Sequence, residues 1–188
     1  MQGTDNDLIY LHASVPELEK YLLSEVLYYP VTAERGRQLT GDTTQLTIGN
    51  LLLSVTRLRT AELAADEAAQ FKNLLQEVEQ VRSQWRKNWK QKVEREIPNR
   101  LRLWKNYLGD WGDTSTTRAG DYHYNVRLRV ILELLMAETD DLLIQERSLL
   151  RTLDLRLKGK GIPGDFIWDD FLASAFPQDR FWYLYLHF

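Results

Sequence analysis

From Ala61 to Leu108 the chain runs 48 residues with a single proline, Pro98, and no glycine. A stretch of that length without backbone breakers favours long helix over any arrangement of strands and turns. Its middle, Arg82 to Lys105, carries nine Lys/Arg against two Glu, with Trp85, Trp89 and Trp104 interleaved. Cations mixed with indoles suit a nucleic acid, an anionic ligand, a partner helix or the core of a bundle. Positions on a helical wheel begin to separate these uses.

At 100° per residue, Phe71, Leu74, Leu75, Val78, Trp85, Trp89 and Val93 fall on one arc of a long amphipathic helix that starts near Glu67. Ile97, Leu101, Trp104 and Leu108 form a second i, i+4, i+7, i+11 series about a quarter-turn away. Pro98 sits at this change of phase, where its missing N–H and its ring predict a kink or a break. Lys87, Lys90, Arg102 and Lys105 project away from the tryptophans, so the wheel places indoles inward and these four cations outward. They are the nucleic-acid candidates, through phosphates alone, since stacking needs exposed aromatic rings. The sequence pI of 5.7 and the charge distribution weigh against that use: residues 1–81 sum to −6, residues 82–105 to +7 and residues 106–188 to −4.

Other helices follow from caps and periodicity. Ser14-Val15-Pro16-Glu17 has the spacing of a capping box and predicts a first helix from Val15 to Tyr29, ended by Pro30. Glu34 to Thr44, with Gly36, Gly41 and Asp42, reads as a loop. Thr43 or Thr44 is then the expected cap of a second helix, with Ile48, Leu51, Leu52, Val55 and Leu58 on one face and Asn50, Ser54 and Arg57 opposite. A short turn is expected in Arg59 to Asp66. Gly109 to Gly120 is the strongest loop signal and the expected disordered segment. Beyond it, Asp121 is the expected cap of another long helix, with Tyr124, Leu128, Ile131, Leu132, Leu135, Leu142, Leu149, Leu150, Leu153 and Leu157 along one face. Val126, Val130 and Leu134 give its first half a second apolar face. The helix is expected to end in a turn at Lys158 to Gly164.

The last 24 residues, Asp165 to Phe188, hold Phe166, Ile167, Trp168, Phe171, Phe176, Phe181, Trp182, Tyr183 and Tyr185. So many large apolar side chains must cap the chain's own bundle, the favoured reading, or fill a partner's groove. Phe176, Phe181 and Trp182 are the partner-binding candidates.

Several chemistries are excluded or lack their signatures. With no cysteine, there is no disulfide framework, no thiolate metal site and no thiol nucleophile. His12, His123 and His187 are scattered, and no ExxH, HExxH or ExxE frame occurs. Asp140-Asp141 and Asp169-Asp170 read as solvated helix ends or caps. The glycine-rich segment at Gly159 to Gly164 lacks P-loop order, and there is no GxSxG. No signal-peptide pattern or membrane-length apolar run is present, so the expected location is cytoplasmic, without membrane contact.

Three charged residues call for attention because a charge on an apolar face needs a partner. Glu133 projects onto an arc with Arg129 and Asp140, a solvated strip. Glu25 is ringed by Leu18, Tyr21, Leu22 and Tyr29 and reads as a buried carboxylate. Glu96 lies within the tryptophan stripe, flanked by Arg82 and Lys92, with Arg100 one turn later, and an interior Glu96–Arg100 ion pair is expected. The favoured reading is a polar network that fixes helix register. The alternative is a small acidic or aromatic ligand between helices, with Glu25, Trp85, Trp89, Lys92, Glu96 and Arg100 as its candidate residues.

The expectation is therefore a single all-α domain over residues 1–188. It is a four- to five-helix bundle with two long helices, one kinked near Pro98, and an aromatic C-terminal segment packed on it. By elimination its function reads as non-enzymatic: an interaction module that binds a protein partner or forms a homo-oligomer, with no metal and no cofactor.

Overall fold

Helices dominate the computed structural model, which describes residues 2–33, 39, 44–109, 120–139 and 143–188. The loops expected at 34–44 and 109–120, the Thr43 cap, Leu142 and the Asp140-Asp141 pair lie wholly or mostly outside these residues. The chain forms two compact units, residues 1–96 and residues 97–188. Among the described residues no helix is long and apolar enough to cross a membrane.

In the first unit, α1 (Gln2–Ser14) leads through a 3-10 turn (Val15–Glu17) into the short α2 (Leu18–Leu23). A two-residue ladder pairs β1 (Tyr29–Pro30) antiparallel with β2 (Gln45–Leu46). Then come α3 (Ile48–Leu58) and α4 (Ala65–Gln84), and α5 (Arg86–Gly109) carries the chain across the boundary between the units. α1 packs along α3, and the core gathers Tyr10, Leu11, Leu18, Tyr21, Leu22, Leu46, Ile48, Leu51, Leu58 and Val93.

Several sequence expectations shift here. Ser14 does not cap a helix: its side chain makes no capping bond and is fully buried, because the chain is already helical before it. The helix expected to reach Tyr29 ends at Leu23, where Ser24 turns extended with φ −79° and ψ 165°. Thr47, not Thr43 or Thr44, caps α3, its Oγ1 accepting from the Asn50 N–H at 3.1 Å. α3 is buried nearly all round, so Asn50 and Ser54 point inward rather than to solvent. The turn expected between α3 and α4 is present.

The long helix is divided at Trp85, whose φ of −111° and ψ of 36° separate α4 from α5. α5 continues through Pro98. The proline faces solvent, where water can satisfy the carbonyl that loses its donor.

In the second unit, α6 (Tyr122–Asn125), α7 (Arg127–Ala137) and α8 (Ile144–Lys158) replace the single helix expected from Asp121. Asp121 makes no side-chain cap bond, and the chain leaves helical pairing after Ala137. Ile131, Leu132, Leu135, Leu150, Leu153 and Leu157 are buried as the periodicity requires, whereas Tyr124 and Leu149 are exposed. Val126 and Val130 are fully buried, so α7 is the central helix of this unit.

The tail packs on its own unit. Its 3-10 turns, Asp170–Ala175 and Trp182–Tyr185, thread an aromatic chain in which successive rings meet edge to face: Trp168–Phe176 at 5.3 Å, Phe176–Phe181 at 5.1 Å and Phe181–Tyr183 at 6.1 Å. β3 (Ile162–Pro163) pairs with β4 (Leu186–His187), so the glycine-rich turn is where the tail returns. A Cβ on Gly164 would collide with the His187 ring, so a larger residue there requires that side chain to move. Two hydrogen bonds tie the segment down: Tyr122 Oη donates to the Tyr183 carbonyl at 2.7 Å in the interior, and Trp168 Nε1 to the His123 carbonyl at 3.0 Å nearer the surface.

Candidate functional site

The candidate residues of the first unit meet where α5 passes the end of α2. A helix ending as early as Leu23 leaves carbonyls without intrahelical donors. Three α5 side chains at i, i+4 and i+7 bond one such carbonyl, that of Leu22, and those of the extended segment that follows the helix. Asn88 Nδ2 donates to the Leu22 carbonyl at 3.3 Å, Lys92 Nζ to the carbonyls of Ser24 at 2.9 Å and Val26 at 2.5 Å, and Arg95 to that of Glu25 at 2.9 Å. Lys92 also reaches Ser24 Oγ at 3.3 Å and stands 4.3 Å from the centre of the Tyr21 ring. Cations at a helix C-terminus answer the negative end of its dipole as well as its carbonyls. Burial, with the neighbouring Arg95 charge adding to it and Glu25 opposing it, pulls the Lys92 ammonium below the ordinary lysine value.

Glu25 is not a buried carboxylate. The early end of α2 takes it off the helical wheel that surrounded it with apolar residues, and its side chain is 99% exposed, 3.9 Å from Arg95. With Lys92 it lines an open groove of about 330 Å³, bounded also by Leu22, Asn88, Gln91 and Arg95. Trp85, Trp89 and Glu96 do not line it, and Arg100 belongs to the other unit.

Glu96 is fully buried and accepts from the Gly49 N–H at 3.0 Å, in the first turn of α3. Thr47 and Glu96 thus supply two acceptors to the positive end of one helix. Trp89 is buried with the Arg82 guanidinium 5.3 Å from its ring centre, and Trp85, at the junction of α4 and α5, is half-buried. The wheel separates cations from indoles largely as expected. Lys87, Arg102 and Lys105 are exposed and Lys90 half-buried, while Trp89 and Trp104 are enclosed.

Sequence reasoning passed over Asp7. It lies on the buried face of α1 and accepts from Ser54 Oγ on α3 at 2.7 Å, with Arg57 Nη1 3.9 Å away. Its second oxygen, Oδ2, is enclosed without a hydrogen-bond partner. Burial outweighs Arg57 and Ser54 and pushes the carboxyl up to about 6. The signal was the spacing Asp7, Tyr10, Leu11, Ser14, a helical face whose two polar members conceal its apolar periodicity.

In the second unit the comparable group is Arg129. Its guanidinium makes two parallel bonds to the Asp154 carboxylate, both 2.9 Å, and a third to Glu133 at 3.0 Å, and it lies 4.4 Å from the centre of the Tyr183 ring. Arg180 adds a bond to Glu133 at 3.1 Å. The strip read as solvated therefore holds a buried arginine, because the tail covers it.

The partner-binding candidates divide. Phe176 and Phe181 are buried in the aromatic chain of their own unit, whereas Trp182 is half-buried with the Lys158 ammonium 4.4 Å from its ring centre. Among the described residues no group of three or more His, Asp or Glu could hold a metal ion. Comparison with known proteins finds no matching family, no similar curated protein and no similar solved structure.

Two predictions follow from these buried charges. Lys92→Met keeps the aliphatic stem but strands the Ser24 and Val26 carbonyls, and should lower stability by about 2 kcal/mol. Glu25→Gln should change it by less than about 0.5 kcal/mol. Urea unfolding measures both, and equal losses would give Glu25 a buried role. For Asp7, the folded-state pKa stands above the unfolded 3.8, so its contribution is complete below about pH 4 and is lost as pH rises through about 6. Stability attributable to it should fall by on the order of 2 kcal/mol between pH 4 and pH 7.5. Asp7→Asn should abolish that component, and an unchanged slope in the variant would contradict it.

Proposed function

We propose that this protein is a non-enzymatic helical interaction module that docks a protein partner on the outer edge of α8. The observation that carries this reading is exposure of large aliphatic side chains on that helix. Ile144 is 75% exposed and Leu155 71%. They stand 11 residues apart, which brings them to within about 20° of each other on the wheel at 100° per residue. Water-facing aliphatic side chains aligned on one edge mark a surface that gains by being covered.

Several of the other candidate residues are already engaged or enclosed. The cations of the groove beside Glu25 are bonded to backbone carbonyls, which leaves a small acidic ligand little to bind. Trp89 and Trp104 are enclosed and offer no stacking platform to a nucleic acid. Phe176 and Phe181 already fill their own core.

A photo-crosslinking residue placed at Leu155 in the native cells should yield a discrete protein adduct. The same residue at Glu77, on the exposed face of α4, should yield none, and adding Ile144→Glu should remove the adduct from position 155. An adduct of twice the chain mass would identify a second copy as the occupant, and no adduct, or equal adducts from both positions, would overturn the proposal.

A further inference from the structure

The charges around Ile144 and Leu155 specify what can cover them. On the α8 wheel the buried residues Leu150, Leu153 and Leu157 define the inner face. The outer half, centred opposite them, carries Ile144 and Leu155 among the polar Gln145, Ser148 and Thr152, and its exposed charges, Arg151, Arg156 and Lys158, are all positive. Arg151 lies between the two aliphatic residues, within about 20° of Ile144. The acids of the helix lie elsewhere: Asp154 is engaged by Arg129 and Glu146 projects toward the inner face. Lys158 sits against the Trp182 ring, which restricts the ammonium that ends this edge.

Resting on the reading of α8 as the docking surface, we infer that its occupant is an acidic amphipathic helix of a partner protein. The apolar ridge of that helix spans Ile144 and Leu155, about 16 Å apart along the axis, and its carboxylates face Arg151, Arg156 and Lys158. Helix pairing at the usual interaxial distance of about 8–10 Å lets one ridge meet both aliphatic side chains while the flanking charges pair at the rim. An anionic membrane fits less well. Interfacial helices bury a broad apolar face, and here two aliphatic residues are separated by an arginine on the same edge.

The test uses the full-length chain and three fluorescent 18-residue peptides: an amphipathic Glu/Leu/Ala helix, a scrambled peptide of the same composition, and the Lys counterpart of the first. Phosphatidylserine vesicles are titrated alongside. The acidic amphipathic peptide should bind, the other two should not, and affinity should fall as salt is raised. Arg151→Glu with Arg156→Glu should weaken binding at least tenfold, and Leu155→Glu likewise, with far-UV circular dichroism unchanged. Arg151→Ala with Arg156→Ala, which carries no reversed charge, should weaken it in the same direction. Equal binding of the scrambled peptide, or binding of vesicles without the peptide, would overturn the inference. So would a position-155 crosslink that survives the double charge reversal, although the docking surface itself would then stand. No crosslink at all would remove both.

Discussion

A guanidinium taken out of water must recover its hydrogen bonds from carboxylates held in the right plane, and the arrangement of residues 97–188 follows from how Arg129 does so. Asp154, on α8, meets it with two parallel bonds and so fixes α7 against α8 at a defined register, while Glu133, one turn along α7, adds a third bond. Tyr183 closes over the same guanidinium and Arg180 reaches Glu133 from the tail, so the C-terminal segment completes the charge network that it covers. The edge-to-face aromatic chain and the β3–β4 ladder then hold the tail in place. Leucine packing alone leaves helices free to slide by a turn, whereas a fork of charge-assisted bonds tolerates one alignment.

The same physics recurs in the first unit with different groups. Lys92 gathers the Ser24 and Val26 carbonyls of the extended segment that follows α2, and Glu96 receives an N–H from the opening turn of α3. Both sit on α5, which therefore supplies a cation to one helix end and an anion to another. These charges looked like the walls of a ligand site because binding sites and helix ends ask for the same chemistry: concentrated charge facing unpaired backbone groups. Asp7 differs, since Ser54 satisfies only one of its oxygens and Arg57 stands at arm's length. It is incompletely compensated, and its carboxyl accordingly keeps its proton to a higher pH than an ordinary aspartate.

The all-α class, the turn between α3 and α4, the inward tryptophans of α5 and the packing of the aromatic tail were legible from periodicity and composition. These are properties of one face of one element. What escaped notice depends on groups far apart in sequence. α1 was hidden because Asp7 and Ser14 occupy its buried face and are answered, for Asp7, by Ser54. The division at Trp85 leaves no mark in the apolar stripe, which continues across it. Glu25 was misplaced because the wheel assumed a helix that ends two residues earlier. Arg129 and Glu133 read as solvated because nothing local announces that a tail some 50 residues away will cover them. Of the candidate site, Glu25 and Lys92 share a groove as the sequence grouped them, but the grouping reflects a helix end and its caps.

That the buried charges are ties between elements is tested most directly by a double-mutant cycle on Arg129 and Asp154, read by urea unfolding with Trp fluorescence. Arg129→Met alone should cost about 3–5 kcal/mol, since it leaves carboxylates enclosed without their cation. Asp154→Leu alone should cost a comparable amount. Together they should cost well under the sum, with a coupling of about 2 kcal/mol or more. Additive losses, or a negligible loss for Arg129→Met, would contradict a fold held in register by this pairing.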